Sequence, residues 1–413
     1  MNAYRRLITN RLFVIYWGGA TLVQLALQFV TIALAWFVLE ITGSAVRVAV
    51  ILAVIPVAHM ATSSWIGHLM DRLPRRSLMI LDNASQMLLY ASVPVMTWMH
   101  VLTFPLLCAV VAMAAALSPL SMIGRGVLLP HLVSGDELVS ANGLSQLRSS
   151  LVYLLGPVLG GLLVAFLGAP ETLLVTAGCY GAYVGSLWAI PAEKYQAVAD
   201  NQPLDPTMQT TPWHFLRQST MLLIMSVVTL FFNLTYGPLE PALPVLVSRV
   251  FHAGASTLGW IWSSFAMGTV LGTLVWERLR PQWSLRVFII GVIVGWGLFS
   301  GAVGLTTHPD QAMALMFCGG ITYAPYNIVA ATCQQRLIPD FMRGTVLGTI
   351  QSVTSAGLPM GQLLGGLVVS AVGARAAIVL GGTATVLLGG ALMAVRIPWA
   401  RLSTGCRSLR STS

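Results

Sequence analysis

Gly67-His68-Leu69-Met70-Asp71-Arg72-Leu73-Pro74-Arg75-Arg76 separates two long hydrophobic runs and sets Asp71, Arg72, Arg75 and Arg76 within six residues of a nearly uncharged sequence. A charge cluster between apolar segments reads as a cytoplasmic loop joining two membrane helices. Outward from it the same alternation recurs to the C-terminus. With 56% hydrophobic and 8% charged residues, the 413-residue chain has too little polar surface to cover a water-soluble globule. A spanning helix needs roughly 20 mostly apolar residues, and about twelve such segments begin near Leu12, Ala45, Ser77, Leu102, Leu138, Glu171, Ser219, Ala255, Leu285, Gln311, Thr345 and Ala376. The expected fold is an all-α polytopic membrane protein.

The basic residues test that count, because cytoplasmic loops carry the Arg and Lys excess. With the N-terminus inside, only Arg47, Arg249 and Arg375 of the 22 basic residues fall in outer loops and only Arg148 lies within a helix. Both termini are therefore expected in the cytoplasm, on a multi-pass chain of the inner membrane. The net charge of +9 reads as a topology signal and an affinity for the anionic inner leaflet. Nucleic acid is not an expected partner, because no basic aromatic stripe or soluble module would face a duplex. Cys108, Cys179, Cys318, Cys333 and Cys406 contain no C-x-x-C pair and read as packing residues. The only lysine, Lys194, follows Glu193 rather than a glycine, so no nucleotide-binding loop is present to drive a pump. The histidines form no close ligand pair, and neither a metal nor a cofactor is expected. The N-terminus shows no small-residue cleavage site, so no removed leader is expected.

A polar stretch from Ala192 to Gln218 divides the chain into an N-terminal bundle at 1–192, a cytoplasmic linker at 193–218, a C-terminal bundle at 219–400 and a basic tail at 401–413. Each bundle is expected to hold about six helices. The bundles read as pseudosymmetric: Leu155-Gly156-Pro157-Val158-Leu159-Gly160-Gly161-Leu162 in the fifth span matches Met360-Gly361-Gln362-Leu363-Leu364-Gly365-Gly366-Leu367 in the eleventh. Each follows a proline loop, at Leu129-Pro130 and Ile338-Pro339. Internal repeats of this kind typify secondary transporters, whose site lies near the midplane between the halves.

The loop Gly67-x-Leu69-x-Asp71-Arg72-x-x-Arg75-Arg76 resembles the signature between helices two and three of the major facilitator superfamily, and Gly156-Pro157-x-x-Gly160-Gly161 is similar to the helix-five motif of its exporters and antiporters. Phe37-Val38-Leu39-Glu40-Ile41-Thr42-Gly43-Ser44-Ala45, with Leu128-Leu129-Pro130 and Ala141-Asn142, resembles its branch of bacterial drug and siderophore exporters. The resemblance covers nearly the whole chain. It implies alternating access between two six-helix bundles, export of amphipathic compounds, and a cavity lined by helices one, four, seven and ten. Some related antiporters carry an acidic residue in helix one, where this chain has Gln24 and Gln28.

Within that frame, Asp71 can pair with Arg72, Arg75 or Arg125, and making and breaking such pairs would latch one state; the alternative is a plain positive-inside anchor. Gly156, Gly160 and Gly161 permit close helix approach and Pro157 a kink, read either as directional machinery or as tight packing alone. Thr229, Asn233, Tyr236 and Glu240 follow at steps of four, three and four along the seventh span, on one face turned inward. Glu240 is the leading candidate for a proton or cation site, set against an ordinary interfacial carboxylate. His59, beside Pro56, is a second candidate or else a neutral side chain bonded to a neighbouring helix. Asp82, about one and a half turns into helix three, is a third; there it is expected to reach the cytoplasmic interface or an arginine. Gln24 and Gln28 on helix one, with Tyr323, Tyr326 and Asn327 on helix ten, could orient a mostly apolar substrate or bond between helices.

These readings converge on a monomeric secondary transporter exporting amphipathic organic compounds, such as drugs, siderophore-like molecules or other secondary metabolites, in exchange for protons. An uncoupled or importing permease for a small metabolite is the alternative. A membrane-embedded enzyme would need convergent nucleophile, base or metal residues, and neither H-E-x-x-H nor G-x-S-x-G occurs. A non-transporting sensor would need an appended reporting domain.

Overall fold

The computed structural model describes residues 2–72, 75–134, 137–191, 212–279, 285–338 and 343–394, and among them every regular element is a helix. In the N-terminal part these are α1 (Asn2–Thr9), α2 (Arg11–Thr42), α3 (Ala45–Arg72), α4 (Arg75–Trp98), α5 (Phe104–Leu117), α6 (Pro119–Leu132), α7 (Leu138–Leu167) and α8 (Ala169–Ala189). They are followed by α9 (Pro212–Gln218), α10 (Thr220–Tyr236), α11 (Leu239–Arg249), α12 (Ala255–Leu279), α13 (Leu285–Val303), α14 (Pro309–Leu337), α15 (Arg343–Ser355) and α16 (Gly357–Ala394). The chain divides into two compact units, residues 1–201 with 253–263, and residues 202–252 with 264–413. The first turns of α12 thus belong with the first unit.

Local chemistry sets the ends of α2. The Asn10 side chain accepts from the Leu12 and Phe13 amides, satisfying donors that a helix start leaves open, and its Nδ2 donates to Leu132 O at 2.9 Å. At the other end Gly43 takes φ 60°, the left-handed region that glycine enters without penalty, and its N–H closes on Leu39 O. The short α1 ahead of it is held by an ion pair between Arg6 Nε and Glu137 Oε1 at 3.1 Å.

Among the described residues, eight stretches of helix are long and apolar enough to cross a membrane by length and composition. The last of them, Val346–Met393, contains Gly373 at φ 85°, where α16 breaks into two passages. The helices α4, α8 and α14, of 24, 21 and 29 residues, are long enough but fall outside that set. In α4 the reason is visible: Asp82, Asn83 and Gln86 dilute the apolar run. Counting these three helices and dividing α16 at Gly373 recovers the about twelve passages that hydropathy suggests.

Two passages contain breaks that a hydropathy average conceals. Pro119, with no N–H to give, follows Ser118 and separates α5 from α6. Gly237 and Pro238 separate α10 from α11, and the chain there stays nearly helical with Gly237 at φ −48°, ψ −40° and Pro238 at φ −59°, ψ −26°.

Lipid tails are as apolar as leucine, so membrane helices associate through close packing rather than through expulsion from water. In the first unit α2 is the central post, with Val23, Ala26, Phe29, Val30 and Ala33 buried where it meets α3, α7 and α8. In the second, α13 packs along α14 and α16, and α10 along α15 and α16.

Candidate functional site

The stripe on the seventh span ties α10 and α11 to four different partners, all within the second unit. Thr229 Oγ1 and Tyr326 Oη of α14 are 2.5 Å apart. Asn233 Nδ2 donates to Thr354 O of α15 at 3.0 Å. The Tyr236 ring lies 5.9 Å from that of Trp296 on α13. Gln362 Nε2 of α16 donates to Glu240 Oε2 at 2.5 Å, and Tyr236 also bonds to the Glu240 carboxylate. The stripe runs through the Gly237–Pro238 break because those residues keep helical backbone angles.

Aromatic rings surround this stripe. Phe232 stacks on Tyr323 at 5.8 Å and on Tyr326 at 6.1 Å, and Phe265 stands 5.0 Å from Trp296 and 5.8 Å from Tyr323. Phe232, Phe265 and Trp296 are absent from the sequence-derived site. Phe232 follows Thr229 by three residues, which is a readable signal; Trp296, inside the apolar α13, carries none. A cavity of about 10 Å³ beside Tyr236, lined also by Thr235, Trp296 and Ser300, has room for about one water and none for an organic substrate. The Asn327 side chain lies outside the described residues.

In the first unit Asp82 departs from expectation. It is fully buried and bonds no arginine among the described residues, accepting instead from Gln86 Nε2 at 2.6 Å. The neighbouring Asn83 is also fully buried and donates to Ser121 Oγ of α6 at 2.6 Å. The reason is geometric. The helix starts at Arg75 rather than near Ser77, which places Asp82 almost two turns inside, and a short carboxylate cannot extend back to the interface as a lysine or arginine would. The Arg125 guanidinium acts on Asp82 through space only. His59 Nδ1 lies 3.1 Å from Ser118 Oγ at the α5–α6 break, so it is bonded to a neighbouring helix.

Gln24 and Gln28 both face α7. Ser149 Oγ donates to Gln24 Oε1 at 3.3 Å, and a methyl group on Gly156 would stand 2.7 Å from Gln28 Cγ. In the glycine motif, Gly160 lies against Phe29 of α2, while Gly161 faces the start of α12, where an added methyl would stand 2.6 Å from Ala255 O. Pro157 lies inside α7, and its carbonyl fills the space beside Gly259 of α12. The repeated segment in the second unit behaves alike: Gly361 and Gly365 press on Leu234 and Pro238 at the α10–α11 junction, as Gly156 and Gly160 press on α2.

Of the loop motif, Arg76 donates from Nη2 to Trp188 O of α8 at 2.8 Å, and Arg125 accepts on its backbone oxygen from Tyr16 Oη at 3.4 Å. Gly67, Asp71, Arg72 and Arg75 keep helical backbone, and the side chains of Asp71, Arg72 and Arg75 lie outside the described residues. Residues 193–211 of the linker 193–218 and the tail 401–413 lie outside them as well, while the rest of the linker forms α9.

A model of the family described as transmembrane secretion effector matches residues 6–405. The multidrug efflux pump Tap of Mycobacterium tuberculosis (strain ATCC 25618 / H37Rv) is 26% identical over 390 residues, which cover 92% of each chain. The staphyloferrin A transporter of Staphylococcus aureus (strain NCTC 8325 / PS 47) is 23% identical over 349 residues, covering 81% of this chain and 83% of its own. Among solved structures, the nucleoside transporter NupG aligns with a TM-score of 0.68 at 13% identity, covering 91% of this chain and 98% of its own. A bacterial homolog of the human lysosomal transporter Spinster, inward-facing and unoccupied, aligns at 0.70 and 13% identity, covering 94% and 97%. These structures share the fold of this chain over nearly its full length.

Proposed function

The chain belongs to the transmembrane secretion effector family of major facilitator transporters, and from that membership we propose that it exports amphipathic organic compounds across the inner membrane in exchange for protons. The export direction and substrate class draw on its likeness to the efflux pump Tap and to a siderophore transporter. Proton coupling draws on one observation: Glu240, partly buried among aromatic rings, is held by Gln362 of α16 and Tyr236 of α10.

That grip suits a carboxylate with two states. When Glu240 is ionised it can only accept, and Gln362 donates to it through Nε2. When Glu240 carries a proton it needs an acceptor, and Gln362 Oε1 is buried with no hydrogen-bond partner among the described residues. A turn of the carboxamide serves the second state as the present orientation serves the first. Proton binding would thereby change the link between α11 and α16, a local switch of the kind that biases a two-state transporter. The cluster of Asp71, Arg72, Arg75, Arg76 and Arg125 is proposed as the cytoplasmic latch, with both termini on that side.

The test uses energised everted membrane vesicles, a panel of lipophilic drugs and siderophores, and a fluorescent reporter of interior acidity. Compounds that are exported should provoke proton release in the wild type and none in Glu240→Gln at equal protein level. Release that persists in Glu240→Gln would move the coupling site to Asp82 or His59. Compound movement with no proton release in the wild type would establish an uncoupled permease instead.

A further inference from the structure

Arg148 of α7 is 9% exposed, and its Nε and Nη1 have no hydrogen-bond partner among the described residues. A guanidinium does not give up its proton in a protein, and a buried charge without a counter-charge is strongly unfavourable. The titratable groups near it are Tyr16 of α2, Tyr183 of α8 and Arg125 of α6, of which only the last is charged at neutral pH, and it adds positive charge. No carboxylate among the described residues bonds to it.

Two more buried donors without partners among the described residues are Trp17 Nε1 on α2 and Ser145 Oγ on α7. Ser145 lies one turn before Arg148, on the same helical face. The register of the two helices brings Trp17 to within about one turn of Ser145. Gln24 meets Ser149 and Gln28 meets Gly156, so α2 and α7 run in parallel with these faces together. Trp17 shares the face of Gln24 two turns earlier, which sets it opposite the segment around Asn142, about one turn before Ser145.

We propose that Arg148, Ser145 and Trp17 bind an oxyanion, the carboxylate of a transported amphipathic compound. The guanidinium offers fixed planar donors matched to carboxylate oxygens, Trp17 can only donate, and the partly exposed Trp17 ring offers apolar surface for the body of the molecule. The inference rests on the transport reading and narrows its substrates to those that carry a negative group.

Binding to the purified full-length protein in detergent, measured by calorimetry, tests it with three probes: 2-naphthoate, its methyl ester and inorganic phosphate. The wild type should bind the acid at least about tenfold more tightly than the ester. Arg148→Gln should bring the acid to the level of the ester, Arg148→Lys should keep part of the preference, and Trp17→Phe should weaken the acid alone. Without ligand, Arg148→Gln should unfold at the same or a higher temperature, since it removes an uncompensated charge. Equal binding of acid and ester, full acid binding by Arg148→Gln, or a lowered unfolding temperature in that variant would overturn the proposal. Phosphate binding as tightly as the acid would overturn the substrate assignment by making this a site for a free inorganic anion. No gradient enters this assay, so its failure is separate from a failure of the export reading, which appears as absent compound movement in vesicles.

Discussion

Glu240 and Asp82 sit in separate units yet share a device, since each carboxylate accepts from the carboxamide of a glutamine. For Asp82 that partner is Gln86, one turn along its own helix; for Glu240 it is Gln362, on a different helix. The difference decides what each bond does. Gln362→Leu should lower the thermal unfolding midpoint, because losing a hydrogen bond to a charged group costs about 1.5–3 kcal/mol. An unchanged midpoint would show that the bond contributes nothing. Glu240→Gln, which can still accept from an amide, should fold with nearly wild-type stability while losing proton release. The carboxylate itself was legible in the sequence, as the one acidic side chain of the seventh span. Its partner lies 122 residues away and no local pattern points to it. Asp82 was misplaced because an estimated helix start, off by two residues, moved it toward the membrane surface.

At the scale of the helix, the glycine repeat carries the argument. Gly161→Ala would force a methyl group against Ala255 O and Ser256 Cα, both backbone atoms of α12. Overpacking of that kind costs about 1–3 kcal/mol, so this variant should unfold several degrees early in a detergent melt. Gly185→Ala in α8 meets nothing within 4 Å and should be neutral or slightly stabilising, since alanine favours helix by up to about 1 kcal/mol. Equal behaviour of the two variants would remove the packing role of the motif. Gly373→Ala should also destabilise, by about 1–3 kcal/mol, because φ 85° with ψ 165° is open to glycine and strained for alanine. Helix existence was readable throughout, and the breaks were not. Hydropathy averages over Ser118-Pro119 and Gly237-Pro238, so α5 with α6 and α10 with α11 each look like one uninterrupted span. The polar stripe was readable as a face, yet its residues reach α13, α14, α15 and α16 separately, an arrangement only the assembled bundle fixes.

For the molecule as a whole, family membership and the shared fold make this a membrane transporter. The repeated glycine segment gives that fold a physical basis, since each unit uses it to press one long helix against its first spanning passage. The central claim is that such a molecule moves organic compounds outward at the expense of a proton gradient. The direct measurement is accumulation of a lipophilic drug by everted vesicles containing the protein, with the pH gradient present and then collapsed by an ionophore. Accumulation above the external concentration that vanishes when the gradient collapses, and that is absent from Glu240→Gln vesicles, is the predicted result. Accumulation that never exceeds the external concentration, or that is indifferent to the gradient, would contradict the account.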